Sequence, residues 1–259
     1  MGDLWLVSSF CAGLRCVKLR SNNQNTIMPT IAPFIVTIDG TTASGKSTVA
    51  RAIAERFDLF HLRGGTFLRS FAYFILASKV DPTDSKQVVL QLDKFHLKIV
   101  TQPESSDYLI CVNEIPVQNY LWTNEVDEIV SSTSRPAQVR AARVSWKQSF
   151  ARGKRLVADG RTLGSEVFPW ANVKIHLTTS LDQRAERRYL QNVQNGVATS
   201  ALNDVRKQIE NRDISDAIGE LDRTRIYSDQ RIVDSTNMSL SETVEQISAL
   251  IESTKRTSL

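Results

Sequence analysis

Along the chain, short apolar runs bounded by glycine and polar turns alternate with longer stretches in which apolar residues recur every third or fourth position. The runs fall at residues 34–39, 59–62, 155–159, 173–177 and 231–233. Their length and their valine, isoleucine and leucine content read as buried strands. Alternation with helical periodicity predicts a parallel five-stranded sheet with helices on both faces, a three-layer α/β/α fold. Helical spacing is clearest at Val49, Ile53 and Phe57, at Leu202, Val205 and Ile209, and at Val244, Ile247 and Ile251. Two helices are expected to start on capping boxes, Ser180 with Gln183 and Ser239 with Glu242. The helix through Ile209 is expected to end near Arg212.

Between residues 62 and 155 the chain is too long for one crossover, so an insertion is expected there. Within it, residues 108–112, the turn Asn113-Glu114 and residues 115–117 read as a hairpin, with Pro116 confining its strand to an edge. From Arg212 to Arg231 the chain turns polar, with Asp213, Ser215, Asp216, Gly219, Asp222, Arg223 and Arg225. That stretch reads either as a surface loop or as a lid.

Composition narrows the class. With 259 residues, 41% of them hydrophobic, the chain holds one sizeable α/β core with insertions rather than two ordinary domains. Lysine and arginine number 32 against 28 acidic residues. This mild excess suits anionic small molecules and falls far short of the dense basic stripe of a nucleic-acid binder, so no nucleic-acid partner is expected. No run of about 18 apolar residues occurs, so neither a membrane span nor a membrane partner is expected. Cys11, Cys16 and Cys111 form neither a CxxC pair nor an even disulfide framework, which points to a reducing, cytoplasmic setting. His61 and His176 sit in or beside strand-like runs and read as ordinary strand residues. At the start of the chain Leu4-Trp5-Leu6-Val7 follows Asp3, where a signal peptide needs positive charge. Residues 1–31 read as a tail without order, and Met28 as an alternative start.

The chemistry is carried first by Gly40-Thr41-Thr42-Ala43-Ser44-Gly45-Lys46-Ser47, followed by Thr48. This fits the phosphate-loop pattern G-x-x-x-x-G-K-[ST] and lies between a strand and a helix. Glycines let the backbone turn its N–H groups onto phosphate oxygens, and the helix start adds positive dipole. Lys46 is placed to reach the outer phosphates, and the Ser47 hydroxyl to join the shell of a magnesium ion. ATP or GTP with Mg2+ is therefore expected; no Asn-Lys-x-Asp guanine-reading motif is evident, which favours ATP. Ala158-Asp159-Gly160-Arg161 puts an acidic residue and then an arginine at the carboxyl end of a strand, the edge where open α/β sheets bind ligands. Arg184, Arg187 and Arg188 lie on one helix, as base or phosphate contacts or as a solvated face.

In order along the chain come the phosphate loop, Thr123-Asn124-Glu125-Val126 before Ser131, Gln138-Val139-Arg140, Asp159-Gly160-Arg161 with Gly164 and Val167-Phe168-Pro169, Arg184-Ala185-Glu186-Arg187-Arg188, Asn211-Arg212-Asp213 and Val233-Asp234-Ser235-Thr236. This set resembles the bacterial cytidylate kinases, within the nucleoside-monophosphate kinase group of P-loop proteins, from about Pro33 to Ile251. The resemblance implies a kinase domain over residues 32–259, with an acceptor-binding insertion at about 66–135 and a lid at about 212–230. It implies transfer of the γ-phosphoryl of ATP to CMP or dCMP; separately, a monomer is expected. A related kinase with a drifted acceptor, or a nucleotide-binding module with little transfer, are the alternatives. By position, Lys46, Arg161 and Arg212 correspond to catalytic residues, Arg188 to an ATP contact, and Arg69, Ser131, Arg140 and Asp216 to acceptor contacts.

The chain departs from the family at Arg63-Gly64, where Asp-Ser or Asp-Thr is usual, at Thr162 in place of Asp, at Trp122 in place of a basic residue, and at Gly219 in place of a lid arginine. Returning Asp and Ser to positions 63 and 64 is expected to lower the KM for CMP by about tenfold or more.

Overall fold

A computed structural model of the chain describes residues 32–101, 108–194, 196, 201–217 and 226–257. The 1–31 tail, with Cys11 and Cys16, lies outside the described residues, as does the part of the lid segment that holds Gly219, Asp222, Arg223 and Arg225.

The sheet is built from β1 (Phe34–Gly40), β2 (Phe60–Arg63), β6 (Arg155–Gly160), β7 (Val173–Thr178) and β8 (Arg231–Asp234). Its order is β2-β6-β1-β7-β8, with every neighbouring pair parallel. All seven residues of β1 are buried, which requires cover on both faces. Alternate side chains supply it. Val36 and Ile38 pack with Val49 and Ile53 of α1 (Lys46–Phe57) and with Ile247 and Ile251 of α8 (Leu240–Thr257). Ile35 points the other way, into a cluster with Leu62, Leu156, Leu163 and Phe168. This cluster also receives Val144 and Trp146 from α5 (Ala137–Ala151). The result is the expected three-layer α/β/α arrangement.

The long stretch between β2 and β6 contains α2 (Thr66–Ala77), α3 (Ser85–Leu90), β3 (Leu97–Thr101), β4 (Tyr108–Val112), β5 (Ile115–Pro116) and α4 (Asn124–Thr133). Phe67, Phe71, Phe95, Ile110, Val112, Leu121 and Val139 form a cluster of their own here. The hairpin of β4 and β5 turns on Asn113 and Glu114, at φ 47° and 69°. Two successive positive φ values define a type I′ turn, which favours Asn-Gly. Glu114→Gly should therefore stabilise the domain by about 0.5–1 kcal/mol, because a side chain in the left-handed region is strained. Urea denaturation checks this, and a less stable variant would show that the Glu114 side chain contributes more than its backbone costs.

Two features differ from the sequence reading. The hairpin gains a third strand, β3, antiparallel to β4. The helix expected to end near Arg212 continues as α7 (Leu202–Ala217). At α8 the capping box is complete: Glu242 N–H donates to Ser239 Oγ at 3.2 Å, and Ser239 N–H to Glu242 Oε2 at 2.8 Å. Before α6 (Leu181–Gln194) only half of the box forms, Gln183 N–H donating to Ser180 Oγ at 3.3 Å, while Ser180 N–H donates instead to Thr236 Oγ1.

Candidate active site

At the carboxyl edge of the sheet β1 ends on Gly40, where a Cβ would stand 2.5 Å from the Leu177 carbonyl oxygen of β7. Only glycine lets the loop leave the sheet there. Gly45, at φ 87°, turns the chain into α1. Lys46 folds back so that Nζ donates to the Thr41 carbonyl at 2.8 Å, and burial followed by the Arg161 charge lowers its pKa to about 8. It remains cationic at neutral pH.

Ser47 Oγ donates to Asp159 Oδ2 at 2.7 Å, and the other Asp159 oxygen meets His61 Nε2 at 2.7 Å. Burial alone would raise the Asp159 pKa, but the hydrogen bonds from His61 and Ser47 and the nearby Lys46 charge outweigh it and hold the carboxyl below its usual range. Asp159 is thus an ionised carboxylate beside the loop serine. A second buried carboxylate, Asp39, accepts from the Leu163 and Gly164 amides at 2.8 Å each and pins the turn that follows Arg161. Burial raises the pKa of Asp39 despite these bonds.

Arg161 Nη2 donates to Thr42 Oγ1 at 2.6 Å, and the same guanidinium pairs with Asp216 of α7. Arg212 reaches the same carboxylate at 3.8 Å. The structure therefore gathers Arg161, Arg212 and Asp216 into one cluster joined to the phosphate loop through Arg161, the one of the three that lines the cleft beside the loop, and Asp216 stands with the two arginines rather than with Ser131 and Arg140. Of the helix arginines, Arg184 is a brace: its guanidinium donates to the Thr179 and Thr42 carbonyls at 3.1 Å and pairs with Asp213 at 2.6 Å. Arg187 donates to the Ser235 carbonyl at 2.7 Å, while Arg188 meets only Gln191, at 3.2 Å, among the described residues.

A cleft of about 1280 Å³ runs from the loop residues Thr42 to Thr48 past Arg161, Arg187 and Arg188 to Arg63, Arg69, Trp122 and Asp127. Arg69 donates to the Leu121 carbonyl at 2.8 Å and pairs with Asp127. Ser131 on α4 and Arg140 on α5 are not among the residues lining it; the Arg140 guanidinium donates to the Arg135 carbonyl. Sequence reading gave no site role to His61, Asp39 or Lys147. Position within a strand carries no sign of a partner on the next strand, although an acidic residue ending a buried strand, as Asp39 and Asp159 do, is a usable signal.

Lys147 of α5 is buried, 1% exposed, with Nζ donating to the Gly64 carbonyl at 2.9 Å. Burial, then the neighbouring Arg143, brings its pKa down from 10.5 to about 7. Between those values the unfolded chain binds the extra proton, so stability from this group rises with pH from about 7 towards 10 and is flat below. Lys147→Met removes that slope. Urea titrations at pH 7 and pH 9 should find the variant losing ground against wild type at the higher pH; a difference that does not change with pH would mean that Lys147 titrates as it does in water.

The cytidylate kinase family model matches residues 36–253. The chain belongs to the cytidylate kinase family. A cytidylate kinase of Streptococcus pneumoniae (strain 70585) is 34% identical over 217 residues, covering 84% of this chain and 96% of that protein. One of Shouchella clausii (strain KSM-K16) is 33% identical over 223 residues, covering 86% and 98%. Among solved structures, a gluconokinase from Sinorhizobium meliloti 1021 aligns over 88% of this chain and 98% of its own, with a TM-score of 0.42 and 15% identity. That likeness is too loose to bear on function. Among the described residues, no helix is long and apolar enough to cross a membrane.

Proposed function

We propose that this chain transfers the γ-phosphoryl of ATP to CMP or dCMP, giving ADP and the nucleoside diphosphate, as a cytoplasmic monomer. The observation that carries this reading is the single cleft joining the phosphate loop to Arg69, in a chain of the cytidylate kinase family. ATP lies with its phosphates on the backbone of Gly40 to Thr48 and with Arg188 beside its nucleoside. The acceptor lies towards Arg69, with Ser131 and Arg140 reading its ring once α4 and α5 approach the bound nucleotide.

The residues around Ser47 fit a magnesium ion. Among the described residues no cluster of three or more His, Cys, Asp or Glu side chains is built to cage a metal, and Mg2+ in phosphoryl-transfer sites is held by few protein oxygens plus substrate phosphates. The Ser47 hydroxyl and the ionised Asp159 behind it are hard oxygen donors of that kind. When bound, the ion supplies positive charge at the outer phosphate oxygens.

Phosphoryl transfer asks the protein for positioning and charge neutralisation rather than covalent work. Lys46 neutralises the outer phosphates, Arg161 and Arg212 the transferred group, and Asp216 joins the two arginines. Deprotonation needs no general base, because the acceptor phosphate is already ionised near neutral pH. The decisive experiment is ADP release from ATP with CMP, dCMP, UMP and AMP side by side. Turnover highest with CMP or dCMP supports the reading; turnover with none of the four overturns it.

A further inference from the structure

Arg63 and Arg69 lie against the Trp122 ring, their guanidinium carbons 4.1 and 4.4 Å from its centroid. The three residues come from separate stretches of chain: the end of β2, the first turns of α2 and the segment before α4. All three line the cleft shared with the phosphate loop. Their commitments differ. Arg69 spends its fork on the Leu121 carbonyl and on Asp127. The Arg63 guanidinium has no carboxylate partner among the described residues. Its neighbour across the strand pair is Asp159, whose two oxygens are taken by Ser47 and His61.

A guanidinium stacked on an aromatic ring uses its face and leaves its N–H edge free. That edge matches a phosphate oxygen pair. A guanidinium held over a ring in the wall of a cleft beside Arg69, with no carboxylate partner among the described residues, is built for an anion, and the acceptor brings one.

We propose that Arg63, held against Trp122, is a second guanidinium contact to the acceptor's phosphomonoester, and that Trp122 is the residue that positions it. The proposal rests on reading the cleft as a kinase site with its acceptor near Arg69. It makes the acceptor end select for the phosphate, so that a nucleoside without one is bound poorly.

The test uses the full chain and four variants, Arg63→Gln, Arg63→Lys, Trp122→Leu and Trp122→Phe. Steady-state kinetics vary CMP at saturating ATP and ATP at saturating CMP, and calorimetry compares CMP, cytidine and inorganic phosphate as ligands. Losing a charge-assisted pair should raise the CMP KM in Arg63→Gln by about tenfold or more, with the ATP KM within about twofold. Arg63→Lys, which keeps charge but not the fork, falls between. Trp122→Leu shifts the CMP KM in the same direction, and Trp122→Phe, which keeps an aromatic face, restores most of it. Cytidine binding stays unchanged while phosphate binding weakens in Arg63→Gln.

An unchanged or lower CMP KM in Arg63→Gln overturns the proposal, as does equal weakening of CMP and cytidine. If Arg63→Gln melts far below wild type, Arg63→Lys and Trp122→Leu carry the same comparison. The two readings fail separately. Absence of turnover in the wild type overturns the kinase reading, whereas phosphate binding that is indifferent to Arg63→Gln overturns the proposed contact whether or not turnover is seen.

Discussion

Lys46→Met is expected to lower turnover by at least about a hundredfold while the melting temperature stays near that of wild type, the pattern of a deleted electrostatic stabiliser. In the structure Lys46 Nζ is held by the Thr41 carbonyl inside its own loop, with Arg161 close enough to depress its pKa. Both facts describe a cation waiting for an anion. The loop's shape does not depend on the ammonium, because Gly40 fits under Leu177 and Gly45 supplies the left-handed turn. Methionine keeps the length and apolar stem of the lysine and removes only the charge. The check is ADP release at saturating CMP alongside a thermal melt. Turnover close to wild type would overturn the phosphate-loop assignment, and loss of turnover together with a collapsed melting temperature would show that the ammonium holds the loop.

The parts legible in the sequence are those where one physical requirement dictates residue type. The five sheet strands lie within a residue of the sequence-based bounds at each end because strands covered on both faces are built from short apolar runs, as Phe34, Ile35, Val36 and Ile38 are in β1, where Thr37 and Asp39 are buried polar exceptions. The phosphate loop was legible because backbone close to a neighbouring carbonyl tolerates only glycine. β3 was missed because only Leu97 and Ile99 alternate around an exposed Lys98, too brief a period to separate strand from loop.

The end of α7 was missed for a different reason. Asp213 and Asp216 looked like loop residues, but Asp213 pairs with Arg184 and Asp216 with Arg161 and Arg212, so the last turns of the helix carry ion pairs instead of an apolar face. Hydrophobic periodicity does not register such a turn. The same blindness hid the His61–Asp159–Ser47 chain and the stack of Arg63 on Trp122, whose members are far apart in sequence and meet only through sheet register and the packing of α2 against α4.

Gly64→Ser is expected to destabilise the domain by about 2–4 kcal/mol, the range for forcing atoms into a packed backbone and breaking a buried hydrogen bond. A Cβ on Gly64 would stand 2.1 Å from the Asp159 carbonyl oxygen and 3.0 Å from Gly160 Cα, both backbone atoms of β6 that cannot swing aside. Moving the turn away instead would pull the Gly64 carbonyl off the buried Lys147 Nζ, which donates to this oxygen. The structure thus corrects the expectation that Asp and Ser at positions 63 and 64 would tighten CMP binding. That double variant removes the Arg63 contact to Trp122 and adds a clash, so it should lose stability and should not lower the KM. Gly65→Ala is the control: its Cβ would meet Arg69 Cδ at 3.4 Å and Trp122 Cη2 at 3.7 Å, ordinary contacts at an ordinary φ of −77°. It should stay within about 1 kcal/mol of wild type, as side chains added without a clash do. Urea midpoints for Gly64→Ser and Gly65→Ala settle the matter. Equal losses would mean that the whole turn rejects side chains, and a stable Gly64→Ser with a lowered CMP KM would restore the original expectation.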